Sequence, residues 1–447
     1  GFLRWGNARR VWGVAPDAAE LRRRLHYFVR DGLGRERSHS APAAQVSFSV
    51  GRHKRPNRSK SRWAVMSKTH KASIILALVV LTALGVSLIR GWPPLAIAAG
   101  QAQPPESDML FFVSGPQASI QQVAAGEPRR LAEQTASAAT ESIPLNTAMC
   151  DIAGLYASPN GHWVAVEVGC EASVHTLVMA ATTGEVRPAW PEAWQSSFFL
   201  SWTPDGDALL VRVGHLGESA VFLVNVQNMR VERMDTPPFT YDAAFSLDGK
   251  RLLYATTRGL GFGSEVWLME RNGRNQEQII SDPTHIVAYP RWSPNGEAIA
   301  YIRMADSNIP FTVGELVLAD GNGRNARVIA AADAGRGYPP VWSPDGRQVA
   351  FVMRENLENQ QADVMDSALE SNIYVADMRS GAVWAVTRFE GALTEAPTWS
   401  PDGAWLAFST NADGVPDIWL AEVATGAVYQ VTQNAHARCP IWTVGRK

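Results

Sequence analysis

Trp399-Ser400-Pro401-Asp402-Gly403, followed by Ala404-Trp405-Leu406-Ala407-Phe408, decides how this chain folds. It reads as the end of one strand, a tight turn and the start of the next. Ser, Pro, Asp and Gly in that order suit a type I turn. Proline presets φ, the aspartate side chain bonds the turn backbone, and glycine takes the left-handed position that closes the hairpin with a bulge. Trp405 and Phe408 are of the size that covers a half-buried sheet.

The unit recurs toward the N-terminus. It returns as Trp342-Ser343-Pro344-Asp345-Gly346, Trp292-Ser293-Pro294-Asn295-Gly296, Phe245-Ser246-Leu247-Asp248-Gly249 and Trp202-Thr203-Pro204-Asp205-Gly206. A diverged copy is Tyr156-Ala157-Ser158-Pro159-Asn160-Gly161, and Pro440-Ile441-Trp442-Thr443 is a truncated one. The aromatic position steps by 46, 43, 47, 50, 57 and 43 residues. A period of roughly 40–50 residues with about four short strands each is that of a β-propeller.

The repeat resembles that of the TolB-like propeller family, P-x-W-S-P-D-G-x-x-I-A-F, then D-I-Y/W, then a strand ending in Leu/Val-Thr. Asp417-Ile418-Trp419 with Val431-Thr432, Asn372-Ile373-Tyr374 with Val386-Thr387, and Glu265-Val266-Trp267 supply the later parts. The resemblance covers residues 108–447 and implies an all-β propeller. It further implies a non-catalytic binding or scaffold module for protein or peptide partners in the cell envelope. The TolB propeller itself has six blades and follows a small α/β domain.

The strand count here predicts seven blades, with six as the competitor. Met109–Val113, Ser119–Val123 and Arg129–Leu131 are three candidate strands with no leading Trp-bearing strand before them. Pro440–Val444 supplies the missing one, so both termini build one blade and the seam keeps no open edge.

Residues 1–65 hold 15 Lys and Arg against 4 Asp and Glu, leaving 26 against 39 in the rest of the chain. They read as a basic disordered tail or a mis-assigned upstream extension, with Met66 as the natural start. Residues 66–90 carry a basic start and the uncharged run Ala72–Ile89, 18 residues long. That predicts a signal anchor, a transmembrane helix through residues 72–90, or a cleaved signal peptide. Basic residues precede the run, so both readings place the propeller outside the cytoplasm. It would be membrane-anchored in the periplasm or at the cell surface, or secreted if cleaved. Residues 91–107 read as a linker and 108–447 as the propeller. The acidic balance of the propeller argues against a nucleic-acid partner, since phosphate binding needs basic patches. A monomer is expected.

Cys150 and Cys170 flank Asn160 symmetrically, so the hairpin centred there sets them opposite each other. A disulfide closing this loop of about 20 residues would contribute roughly 3 kcal/mol in the entropic model; two free thiols are the alternative.

No catalytic pattern emerges. A propeller-fronted peptidase needs a G-x-S-x-G elbow, which Gly261-Phe262-Gly263-Ser264-Glu265 is not. His175, His215, His285 and His436 are placed in or near loops, and no metal-ligand spacing occurs. The sequence therefore predicts no enzyme and no cofactor. A propeller accessory to a peptidase, or a propeller hydrolase or lyase with a site at the channel mouth, is the alternative.

Function is expected on the end that carries the blade-to-blade loops and the loops between second and third strands. The 57-residue blade inserts roughly residues 354–371 there, with Glu355, Glu358, Asp363, Asp366 and Glu370, as an acidic docking element with a short helix or as a tolerated insertion. Tyr241, Asp242, Tyr289, Tyr338, Glu395 and Arg438, just before the repeated aromatic, approach the channel mouth and are the other candidate contacts.

Overall fold

The computed structural model describes residues 108–115, 119–124, 141–143, 150–170, 173–190, 195–214, 218–259, 261–307, 309–333 and 338–445. They form seven four-stranded antiparallel sheets, the blades of a propeller. Blade 1 orders its strands Arg438–Thr443, Met109–Ser114, Ser119–Ala124 and Glu141–Ile143. Blade 2 runs from Cys150 to Pro188, blade 3 from Ser197 to Arg233, blade 4 from Thr240 to Asp282. Blades 5, 6 and 7 span His285–Asp333, Val341–Ala385 and Thr394–Gln430. The segments expected as tail, anchor and linker lie outside the described residues. Among those described, no helix is long and apolar enough to cross a membrane.

The seam closes as the repeat count requires. Leu110 pairs with Trp442, Phe111 with Ile441 and Met109 with Thr443. Leu110, Phe112, Trp405, Ile418, Leu420 and Trp442 then form one core cluster across blades 7 and 1. One expectation is corrected: the fourth place of blade 1 is filled by Glu141–Ile143, not Arg129–Leu131, which lies outside the described residues. Ile120 pairs with Ile143 and Gln122 with Glu141, so the connection before this strand is long.

The turn chemistry repeats from blade to blade. In blade 6 the Ser343 hydroxyl donates to Asp345 Oδ1 at 2.6 Å and accepts from the Gln348 amide at 3.0 Å. Asp345 Oδ1 also accepts from the Arg347 amide, and Gly346 closes the turn at φ 70°. Ser246 with Asp248, Thr203 with Asp205 and Ser400 with Asp402 repeat it. Asn160 and Asn295 make the same contacts without a charge. The recurrent aspartates are turn formers.

Their serine partners, and then backbone amides, hold the Asp248 and Asp345 carboxyls below the ordinary 3.8. A depressed folded-state value means stability that is present above pH 3.8 and is lost as pH falls through the lower folded value. Asp248→Asn with Asp345→Asn should keep both turns yet flatten the loss of stability as pH falls below 3.8. Thermal melts at falling pH check this, and parallel curves for the two proteins would refute it.

The aromatic ladder locks neighbouring blades. The indole of Trp202 donates to the Tyr156 carbonyl, Trp342 to Arg291 and Trp399 to Val341, at 3.0, 3.2 and 3.0 Å. Each bond ties a repeat's aromatic to the same strand of the preceding blade, while the ring fills the space between sheets. The later repeat residues also have a local role. Asp417, buried, accepts from Thr432 Oγ1 and from the Asn434 and Ala435 amides. Asn372 accepts likewise from Thr387 Oγ1 and the Phe389 amide.

Cys150 and Cys170 are paired in register and disulfide-bonded, their Cα atoms 4.3 Å apart. His175 lies near the start of the strand Ser173–Ala180, buried, with Nε2 2.7 Å from Ser173 Oγ.

Candidate functional site

In an antiparallel blade the first and third turns share one end, and the loop after the second strand shares the other end with the loop to the next blade. The Pro-Asp-Gly turns therefore sit opposite the variable loops. On the loop end, contacts run through three blades. The Thr257 amide donates to the Phe239 carbonyl, the Gly263 amide to Asp306 Oδ2, and the Phe311 amide to the Asp363 carbonyl. These bonds connect loops of blades 4, 5 and 6 into one surface.

The residues expected near the channel fall into two sets. Tyr241 and Tyr289 are buried, so they are not available to a partner as expected. The Tyr241 hydroxyl donates to the Val287 carbonyl and lies 2.9 Å from Ser264 Oγ, which gives Ser264 a packing role. Burial pushes the Tyr241 phenol far above its ordinary value. Tyr289 stands at φ 55°, next to the bulge between Ala288 and Arg291. A non-glycine residue there costs of order 1–3 kcal/mol, so the packed inner strand holds it against strain. Tyr338 packs on the core of blades 6 and 7, and Glu395 pairs with Ser409 beside another bulge.

The second set is ionic. Asp242, buried, accepts from Arg291 Nη1 at 2.8 Å, while Arg291 Nη2 donates to the Leu200 carbonyl at 3.2 Å. One arginine thus clasps blades 3, 4 and 5. Arg438 pairs with Asp151 and joins blades 1 and 2. Arg291 and Asp151 escaped the sequence reading. A signal was present for Arg291: the residue before the repeated aromatic is Leu155, Ser201, Ala244, Val341, Thr398 or Ile441 in the other blades. A charge in that series has to find a partner.

The insertion of blade 6 is built around Arg354, whose side chain is 1% exposed. Its guanidinium donates to Asp363 at 2.8 Å, to the Asn359 and Phe311 carbonyls at 2.8 and 3.2 Å, and to Asn356 Oδ1. The expected short helix is replaced by two single 3₁₀ turns, Gln360–Asp363 and Asp366–Ala368, because the segment wraps this cation. Ala362 and Leu369 pack inward on Phe311 and Leu393. Glu355 accepts from the Tyr374 hydroxyl at 2.9 Å; burial, and then this bond, push that phenol up to about 12. Glu358 is exposed and Asp366 half-buried. Asp366 and Glu370 line a cleft of ≈ 160 Å³ with Asn359, Ser367, Leu369 and Asn411. Among the described residues no cluster of three or more His, Cys, Asp or Glu is placed to hold a metal ion.

Seven blades, a two-terminus seam and a built-up loop end define a closed β-propeller with variable loops on one face. The propeller is TolB-like, and residues 315–443 match the family model described as the TolB beta propeller domain. The chain is 30% identical over 262 residues to an uncharacterized protein of Agrobacterium fabrum, covering 57% of this chain and 64% of that one. It is 37% identical over 76 residues to a TolB homolog of Chlorobium chlorochromatii, 17% of each chain. The chain thus spans less than two thirds of either relative's length. A solved prolyl endopeptidase structure superposes with TM-score 0.50 at 12% identity, over 86% of this chain and 57% of that one, a likeness of fold alone.

Proposed function

We propose that this propeller is a non-catalytic binding module whose protein partner docks on the loop face of blades 4 to 6. One observation carries the reading. Nine large hydrophobic side chains are exposed among the described residues, and six of them gather on that face. They are Phe239 (39%), Phe262 (64%), Ile309 (43%), Leu357 (53%), Val364 (62%) and Met365 (51%). Single exposed apolar residues are ordinary, but an arc of them across three linked blades has the character of an interaction site. Phe and Met are also enriched at contact surfaces. The setting in the cell envelope is part of the proposal, supported by the TolB-like fold and the basic-then-apolar stretch of residues 66–90.

The test is an affinity capture from envelope extracts of the source cells. One bait is the full chain and the other carries Phe262→Ser, Ile309→Ser and Met365→Ser. A partner held by the first and lost from the second is expected. Equal capture by both baits, or capture by neither, would count against the assignment.

A further inference from the structure

The blade 6 insertion has an inner face and an outer face, and the inner one packs on the loops beneath it. Ala362 and Leu369 are buried against Phe311 and Leu393, and Arg354 ties the backbone beneath them. Leu357, Val364 and Met365 point outward and contribute nothing to that core, being more than half exposed. Leaving three such side chains in water on 16 residues is costly unless something covers them.

The charges around them indicate what covers them. Between residues 355 and 371 the chain carries Glu355, Glu358, Asp363, Asp366 and Glu370, with no lysine or arginine. The cation next to this stretch in the chain, Arg354, is buried and paired with Asp363, and Arg388 acts from outside it on Tyr374, the partner of Glu355. The cleft beside the apolar residues is lined by Asp366, Glu370, Asn359 and Asn411, with no cationic side chain in its wall. Its ≈ 160 Å³ has room for one long side chain. An acidic face repels anionic lipid and anionic polypeptide, and attracts a basic one.

We propose that this insertion docks a cationic amphipathic segment of a partner polypeptide. Apolar side chains of the segment cover Leu357, Val364 and Met365, and a lysine or arginine enters the cleft between Asp366 and Glu370. The proposal rests on the loop-face reading above and adds the chemistry of the partner. It also separates the two ends of the apolar arc, since the exposed Arg258 belongs to the same loop as Phe262.

The experiment uses the full chain and fluorescence anisotropy with labelled synthetic peptides. One peptide of about 14 residues places leucines at i, i+3 and i+4 spacing and lysines elsewhere; a second replaces every lysine by glutamate. Two variants are compared with the parent, D366N/E370Q and L357S/V364S/M365S. All five side chains lie at the surface or in the cleft wall, and unchanged thermal melting confirms that the variants fold. The lysine peptide should bind, with Kd rising as salt is added, and the glutamate peptide should not. Each variant should raise Kd for the lysine peptide about tenfold. Equal binding of both peptides, or a Kd that neither variant moves, overturns the proposal. If the Phe262, Ile309 and Met365 substitutions release a captured partner while lysine-peptide binding ignores both insertion variants, the loop-face reading stands and this one falls. If the insertion variants weaken the peptide while no captured partner depends on the loop face, the reverse holds.

Discussion

Removing residues 438–447 should abolish cooperative folding. The strand Arg438–Thr443 is the inner strand of blade 1 and packs against blades 7 and 2. Without it Met109–Ser114 becomes an edge, and its residues 110–113, all at most 1% exposed, lose their cover. The Trp442 ring leaves the cluster of Leu110, Phe112, Trp405 and Leu420, and Arg438 leaves Asp151. Deleting a buried tryptophan alone costs about 3–5 kcal/mol, against a total stability of roughly 5–15 kcal/mol for a domain. The exposed strand would also template pairing with other chains. Near-UV circular dichroism and urea titration check the result. A sharp transition at the parental midpoint would mean that the ring does not depend on its seam. Trp442→Ala is the milder form, with an expected loss of about 3–5 kcal/mol and a transition that stays cooperative.

The second large effect is local. Arg354→Ala should destabilise the insertion of blade 6 by about 3 kcal/mol, the lower end of the range for breaking a buried pair. The lower end applies because Asp363, the charge left behind, is 37% exposed and can be solvated. The carbonyls of Phe311 and Asn359 and the Asn356 side chain also lose a donor. Limited proteolysis between residues 355 and 370 should become fast, while the melting of the remaining blades moves less. Arg354→Lys keeps the charge but not the planar fork that reaches four acceptors, so an intermediate cleavage rate is expected. Parental resistance in the alanine variant would show that Ala362 and Leu369 hold the segment without the guanidinium.

Much of the fold was legible because it is periodic. The Ser-Pro-Asp-Gly turn is local chemistry, and its hydroxyl, carboxylate and glycine act within six residues of one another. Repetition of that unit sets blade number, and the truncated copy at Trp442 sets the seam. The fourth place of blade 1 was harder. Glu141–Ile143 is three residues long and pairs across a long connection, so no local pattern announces it. The channel residues were harder still, since one step of register decides which side a strand residue faces. Tyr241 and Tyr289 proved to be core, while Asp242 found its partner 49 residues away in Arg291.

By itself the sequence determined the repeat, the blade count, the turn roles of its aspartates and the position of the insertion, because each depends on short-range chemistry repeated at a fixed step. Tertiary structure alone decided which residues share a surface. Phe239, Phe262, Ile309 and Met365 are far apart in the chain and carry no motif. They lie at the same end because antiparallel blades bring alternate loops to one end of a ring. Arg354 likewise reads as one more strand-end charge, and only the wrapped segment above it makes it the centre of the insertion.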